Sequence, residues 1–330
     1  MKISRIGIVA ILSAFSFASC DSNVSGGGTG GGGNGDTTYQ FHSTVTYLAA
    51  GTDGSAGTEA TYCTFGDWPQ TVKAEGVTVD ETKSVTMGSM TYYLGSDSNY
   101  YAKCTENAYA DNYTYSDGTT VAQASANSEK YFKVEPIKWR VLNPSASGNK
   151  ILVAESILTA HRFDDDSNNY KDSEIRAYLN DGFLNAAFTA TAQNLIATTT
   201  VDNSAASTNP ASNASEWNDG TNDYTCDNTS DKIFLLSEKE ATTTDYGFTA
   251  YTIVELEKSR IRVTTDYAKA NYAYQSTTAG SGGWWWLRSP YYDNSKFARE
   301  ISVGGNASNA STVDTGRGGV VPALSISVGN

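Results

Sequence analysis

Histidine is nearly absent from this sequence, and cysteine is scarce. The 330 residues include only 2 histidines, His42 and His161, and 4 cysteines. Structural zinc sites are built from several Cys and His ligands, and the serine and cysteine hydrolases need a histidine base. The chain therefore offers almost no residues from which either kind of site could be made.

The short motifs of other enzyme classes are also missing. The sequence contains no Gly-x-Ser-x-Gly turn, no glycine loop followed by Lys and Ser or Thr, and no His-Glu-x-x-His. Carboxylate pairs that hydrolyse glycosides meet only in space and leave no motif, so this alternative stays open. We expect a protein with no enzymatic activity, no catalytic residues and no cofactor.

Basic residues are too few for a nucleic-acid-binding surface. There are 23 Lys and Arg against 36 Asp and Glu, which gives a net charge of −13 and an isoelectric point of about 4.6. Proteins that bind nucleic acid neutralise phosphates with a basic face. Nucleic acid is therefore excluded from the expected partners.

A long apolar run occurs only near the start, in MKISRIGIVAILSAFSFASC. Basic residues precede this run and small residues lead to Cys20, which predicts a signal peptide over residues 1–19 and a lipid on Cys20. A plain signal peptide cut near Ala18 is the alternative. No later segment is apolar for long enough to cross a bilayer. We expect an exported lipoprotein, in the outer membrane or at the cell surface, that contacts the membrane through its lipid.

A glycine tract, GGGTGGGGNG, occupies residues 26–35. Such a tract buries nothing and behaves as a flexible tether. We therefore assign residues 20–37 to a lipidated N-terminus with its tether, and residues 38–330 to a single ligand-binding domain.

Three cysteines remain in that domain, Cys63, Cys104 and Cys226. A disulfide between Cys63 and Cys104 is one possibility, and three reduced, buried thiols are the other. The spacing does not decide between them.

Hydrophobic patterns in the domain predict an α+β fold. Residues 38–135 are rich in Tyr, Thr, Ser and Gly, and their short runs between turn residues are typical of strands and long loops. A hairpin is predicted over 135–158, where Ile137, Trp139 and Val141 alternate and PSASG supplies the turn. Strands, then helices, then strands, without βαβ alternation, indicate the α+β class.

Three short helices and one further strand are predicted beyond the hairpin. Ser173 is the expected cap of a helix within 172–188, with Gly182 ending the turn. A second helix is expected in TAQNLIA, and a strand in KIFLLS. The sequence SEKEA predicts a third helix that begins at Ser237.

Two oxygen-rich stretches resemble calcium sites in part. The first contains Asp164, Asp165, Asp166, Asn168 and Asn169. It lacks the spacing and the closing Glu of a calcium loop, so a turn before a helix is favoured. The second, Trp217–Asp219, spells a motif of sugar-binding C-type lectins without the triplet that precedes it there. We predict no metal site.

Several segments together resemble one protein family. They are FGDWPQTVKAEGVTVDE, KYFKVEPIKWRVL, LIATTTVDNSAASTNP, DKIFLLSEKEA, GGWWWLRSP and GGVVPAL. Together they are similar to the Treponema variable proteins, a family of spirochaete lipoproteins, over nearly all of the chain after the glycine tract. The resemblance implies a C-type-lectin-like fold of the formylglycine-generating-enzyme subtype, mostly antiparallel strands with a few short helices and long loops.

The resemblance also implies that a diversity-generating retroelement rewrites a C-terminal segment, about residues 291–317, by mutation at template adenines. Mutating the adenines of an AAC codon gives codons for Tyr, Asp, Ser, Asn and other residues. Between Tyr291 and Gly319, only Lys296 and Glu300 lie outside that set. Formylglycine enzymes act through cysteines and bound metal, and no cysteine follows Cys226, so no catalytic residue carries over.

Tyrosines and small polar residues of this segment are the expected ligand contacts, as in antibody loops. These residues are Tyr291, Tyr292, Asp293, Asn294, Phe297, Ser302, Asn306, Ser308, Asn309, Ser311, Asp314 and Arg317. The expected frame of the site is Trp284, Trp285, Trp286 and Arg288, with Arg288 paired inside the protein. So many side chains suit an unknown macromolecular ligand, a protein above all. The alternative is a structural or adhesive surface lipoprotein without targeted diversification.

Overall fold

The computed structural model describes residues 39–48, 61–210, 222–251, 258–278 and 280–327. All of these described residues fall within one compact unit, bounded by Thr37 and Asn330. The signal peptide, Cys20, the glycine tether and the Trp217–Asp219 motif lie outside the described residues, so the statements about them stay predictions.

Antiparallel strands dominate the described residues. In chain order the strands are β1 (Thr46–Tyr47), β2 (Thr61–Val72), β3 (Val79–Met87), β4 (Met90–Gly95), β5 (Tyr100–Thr105), β6 (Glu129–Val141), β7 (Lys150–Ala154), β8 (Ser156–Ile157), β9 (Thr159–Ala160), β10 (Ile196–Ala197), β11 (Thr199–Val201), β12 (Thr229–Asp231), β13 (Ile233–Phe234), β14 (Val263–Thr264), β15 (Trp285–Pro290), β16 (Phe297–Ile301), β17 (Asn309–Thr312), β18 (Gly319–Val320) and β19 (Ala323–Ile326).

Ten of these strands form the larger sheet. Its main order is β10-β19-β7-β6-β5-β4-β3, while β13 also pairs with β19, and β2 pairs with both β1 and β6. The pairs β11-β12 and β14-β8 are separate, and β17-β16-β15-β18-β9 form a second sheet. Together with a few short helices, these sheets confirm the predicted α+β class.

The predicted hairpin forms the centre of the larger sheet. Strands β6 and β7 pair antiparallel, with Trp139 opposite Ala154. Ile137 and Trp139 are fully buried, and Trp139 Nε1 donates a hydrogen bond to the carbonyl oxygen of Phe65 at 2.7 Å. The alternation in the sequence therefore identified real core positions.

The α-helices of the described residues are short: α1 (Glu174–Tyr178), α2 (Leu184–Ala187), α3 (Ala190–Gln193), α4 (Glu238–Ala241) and α5 (Asp266–Ala270). Ser173 caps α1 as predicted, because its side chain accepts a hydrogen bond from Arg176 N. The predicted end at Gly182 is wrong. A π-helical turn over Leu179–Phe183 carries the chain into α2, and Gly182 does not take the left-handed conformation that ends helices.

The second predicted helix ends early, and the third is confirmed. Helix α3 stops at Gln193, and Ile196 instead pairs with Ile326 at the edge of the larger sheet. Pairing with β19 thus overrides the local helical preference. At α4, the side chains of Ser237 and Glu240 form a reciprocal capping box.

The three cysteines of the domain are free thiols. Cys63 lies opposite Trp139 and Cys104 lies opposite Lys130, nine residues apart along β6. At about 3.3 Å per residue this is roughly 30 Å, whereas a disulfide requires Cα atoms within about 7 Å. The alternative of reduced cysteines therefore holds for Cys63 and Cys104.

Candidate ligand-binding site

The second sheet holds both ends of the segment 291–317. Every residue of β15 is buried. This strand pairs antiparallel with β16 and parallel with β18, so that Trp285 lies opposite both Ile301 and Gly319. The chain leaves β15, forms β16 and β17, and returns at β18 directly beside β15. The two apolar runs that frame the segment are thus neighbours within one sheet.

Three buried tryptophans connect this part of the sheet to the surrounding core. Trp285 Nε1 donates to the carbonyl oxygen of Arg260 at 3.1 Å, and Trp286 Nε1 donates to that of His161 at 2.9 Å. The rings of Trp284 and Trp286 meet edge to face, with centroids 4.9 Å apart. These rings serve as internal structure and do not line the cavity described below.

Arg288 makes its contacts inside the protein. It is 2% exposed, and its Nη1 donates to the carbonyl oxygen of Leu235 at 2.7 Å and to the carboxylate of Glu240. Its Nη2 donates to the carbonyl oxygen of Asp202 at 3.1 Å. The guanidinium group therefore ties β15 to α4 and to the loop after β11.

A cavity of about 470 Å³ lies between the loop after β15 and the start of β17. Its lining consists of Tyr291, Asp293, Asn294, Phe297, Ser308, Asn309 and Ala310. All of these except Ala310 belong to the residues expected from the sequence to contact a ligand. Tyr292 lies beside the lining, with its ring centroid 4.8 Å from that of Tyr291. The fold thus gathers side chains from both loops of the segment around one space.

A buried ion pair supports the aromatic side of the cavity. The guanidinium carbon of Arg299 lies 4.9 Å from the ring centroid of Tyr291 and 5.9 Å from that of Tyr292. Arg299 Nε lies 3.2 Å from Glu238 Oε2, and Nη1 donates to the carbonyl oxygen of Ser308 at 2.6 Å. Burial raises the pKa of Glu238 to about 7, while the charge of Arg299 acts in the opposite direction. Neither Arg299 nor Glu238 was predicted, because a pair this distant in sequence leaves no local pattern.

Asn168 bonds to main-chain atoms of the first loop of the segment, which follows β15. Its Nδ2 donates to the carbonyl oxygens of Phe297 at 2.8 Å, Asn294 at 3.1 Å and Tyr291 at 3.4 Å. Its backbone N–H donates to the carbonyl oxygen of Ser295 at 2.8 Å. Every acceptor is a main-chain atom that any residue type supplies. The loop can therefore keep its course when its own side chains change.

Ser302 and Asn306 do not belong to the cavity. They are 5% and 7% exposed and lie in the turn between β16 and β17. Asn306 N donates to Ser302 Oγ at 3.1 Å, and Asn306 Oδ1 accepts from Ser308 N at 2.9 Å. Because these polar atoms are buried and bonded within the turn, we remove both residues from the expected contacts. Sequence composition does not distinguish a turn asparagine from an exposed one.

Three other expected contacts lie outside the cavity lining. Ser311 Oγ donates to Glu300 at 2.5 Å, and Asp314 is exposed. The guanidinium carbon of Arg317 lies 4.8 Å from the ring centroid of Tyr109. Burial raises the pKa of Glu300 to about 7, partly offset by the hydrogen bond from Ser311 and the charge of Arg317. The expected contacts therefore extend beyond the cavity lining.

The oxygen-rich stretch that begins at Asp164 forms a turn. Asp164 Oδ1 accepts hydrogen bonds from the backbone N–H groups of Asp166 at 3.0 Å and Ser167 at 2.9 Å. A short 3₁₀ helix, Tyr170–Asp172, follows. No group of three or more His, Cys, Asp or Glu in the described part of the chain could hold a metal ion. Nor does any helix there have the length and apolar character needed to cross a membrane.

The C-terminal part of the chain matches one family model. Residues 147–328 match a domain of unknown function, DUF6273. The matched range begins before β7 and includes every residue that lines the cavity. No curated protein and no solved structure matches the chain. Because the matched range covers more than half of its length, this chain belongs to the DUF6273 family.

Proposed function

We propose that this protein is an exported lipoprotein that binds a macromolecular ligand, a protein above all, through side chains of residues 291–317. One observation carries the proposal: Asn168 holds the loop of the cavity through main-chain oxygens, while the loop's own side chains line the space. Such a site can change its specificity without changing its backbone. A loop already held in place also loses less conformational entropy on binding.

We also propose that the domain adopts the C-type-lectin-like fold of the formylglycine-generating-enzyme subtype, and that a retroelement rewrites residues 291–317. The close pairing of β15 with β18 supports this, because an exchangeable segment needs its two ends fixed side by side. Further support comes from the sequence segments that resemble the spirochaete variable lipoproteins.

A macromolecular ligand is favoured by the extent of the surface. The expected contacts include the cavity lining and also Tyr292, Ser311 and Asp314 beyond it. Standard protein interfaces bury about 800 Å² on each partner, which is more than one small cavity provides. Lipid on Cys20, with the glycine tether, would hold the protein at the outer membrane or cell surface.

Affinity capture tests the proposal. The protein and a lining variant, with Tyr291→Ser, Phe297→Ser and Asn309→Ser, are used as baits for cell-surface proteins, followed by cross-linking and mass spectrometry. The control is Asp80→Ser, an exposed change on β3 at the edge of the larger sheet, outside residues 291–317. We expect partners that the protein and the control retain and that the lining variant loses.

Thermal melting of all baits shows whether each variant is folded. Identical partners for a folded lining variant would contradict the proposal and place recognition outside the cavity. The alternative of a structural lipoprotein predicts this second outcome.

A further inference from the structure

We infer that the cavity of this chain accepts a positively charged side chain, lysine or arginine, presented by a protein ligand. The inference rests on the proposed function, because it names the chemistry that the same site recognises. It depends on the side chains that line the cavity in this sequence.

Asp293 gives the cavity a negative charge with no counterpart. Among the described residues that line the space, only Asp293 is charged. Its side chain is exposed. It forms no hydrogen bond or ion pair with any other residue that the structure describes. An exposed carboxylate beside a cavity is available to a cationic partner.

Two cations of the segment, Lys296 and Arg299, have other partners. Lys296 Nζ bonds to the carbonyl oxygen of Asp166 at 2.7 Å and pairs with its carboxylate. Arg299 is buried beside the ring of Tyr291 and pairs with Glu238. Neither cation forms an ion pair with Asp293, so the Asp293 carboxylate has no cationic partner among the described residues.

The rest of the lining suits the stem and the head of a basic side chain. The ring of Phe297 lies in the lining, with its centroid 6.3 Å from that of Tyr291, and aromatic faces attract cations, whereas the ring of Tyr291 already contacts Arg299. Asn294, Ser308 and Asn309 supply oxygen acceptors to the lining. Lysine and arginine heads carry only donors, and their apolar stems cover aromatic surface well.

Size and overall charge agree with such a ligand. A volume of about 470 Å³ accommodates a long side chain together with part of its neighbour. The net charge of −13 also attracts a basic partner over a distance and raises its association rate. An acidic ligand would meet repulsion from both sources.

Small model compounds test this chemistry directly. The full chain is titrated at low salt with Nα-acetyl-lysine methylamide, Nα-acetyl-arginine methylamide and the uncharged Nα-acetyl-norleucine methylamide. Binding is followed by NMR shifts of the Tyr291, Asn294 and Asn309 amides. We expect both cationic compounds to shift these signals and to bind roughly three- to fivefold more tightly than norleucine, the scale of an exposed ion pair.

Two charge-matched variants supply the control. Asp293→Asn should weaken binding of the lysine compound by the same roughly three- to fivefold, whereas Asp80→Asn, an exposed change on β3 of the larger sheet, should leave binding unchanged. Equal binding of lysine and norleucine, or no effect of Asp293→Asn, overturns the inference but leaves the cavity a binding site. Absence of shifts with either cationic compound also overturns it. The proposed function is tested separately, by affinity capture with the lining variant.

Discussion

Replacing Trp285 by alanine should lower the free energy of unfolding by about 3–5 kcal/mol. Trp285 is fully buried on β15, between β16 and β18. The change leaves a large cavity in the second sheet and removes the hydrogen bond from Nε1 to Arg260. Thermal and denaturant unfolding should both record the loss, with the melting temperature falling by roughly 2 °C for each kcal/mol in a chain of this size.

Asp293→Ala is the matched control for Trp285→Ala. Asp293 is exposed at the cavity and bonds to no other described residue, and changes at such positions usually stay within about 0.5 kcal/mol. Asn306 would be a poor control, because its side chain is buried and bonded to Ser308. A loss at Asp293 as large as that at Trp285 would contradict the division between a rigid frame and a lining that tolerates exchange.

The second large effect is expected at the buried ion pair of Arg299 and Glu238. Arg299→Met removes the charge but keeps most of the volume, and leaves the Glu238 carboxylate buried without its partner. Breaking a buried pair from one side costs about 3–5 kcal/mol. We expect a loss of this size in denaturant unfolding at pH 8.

The loss at Arg299→Met should depend on pH in a defined direction. The folded protein already holds the pKa of Glu238 near 7, above its ordinary 4.5. The folded state therefore binds a proton more readily than the unfolded state, and stability is lost as pH rises through that range. Without Arg299 the pKa rises further, so the deficit relative to the wild type should be largest at pH 8 and should shrink towards pH 5.

A double variant shows whether charge is the cause of the Arg299→Met effect. Adding Glu238→Gln removes the unpaired carboxylate and should recover most of the stability at pH 8. The double variant should also lack the rise in the stability deficit between pH 5 and pH 8. An Arg299→Met protein as stable as the wild type at pH 8 would mean that the pair contributes nothing to the support of the tyrosines.

Local patterns predicted the parts of the fold that local physics determines. Alternation located the core residues of β6, and the capping sequence located the start of α4 at Ser237. Prediction was wrong where a distant strand decides the conformation. Ile196 has a helical neighbourhood in sequence, but its backbone pairs with Ile326, which no local pattern contains.

The sequence predicted most residues that line the candidate site, but not the residues that hold the lining in place. Tyr291, Phe297 and Asn309 were identified because such side chains are typical of binding loops. Asn168 and Arg299 were not, since their roles depend on contacts with residues far along the chain. In the sequence, a polar residue in a turn and a charged residue in segment 291–317 both resemble solvent-exposed positions, but the fold buries Asn168 and Arg299.

The crystal structure of a variant with four lining residues exchanged is the most direct test of the central claim, that the backbone is fixed while its side chains vary. The changes are Tyr291→Ser, Asn294→Ser, Phe297→Tyr and Asn309→Tyr, all within the lining. We predict that the main chain of 291–297 superimposes within about 1 Å, as in other pre-organised sites, and that Asn168 Nδ2 still bonds the carbonyl oxygens of residues 294 and 297. A loop displaced by more than about 2 Å, with these bonds lost, would show that the side chains themselves shape the site.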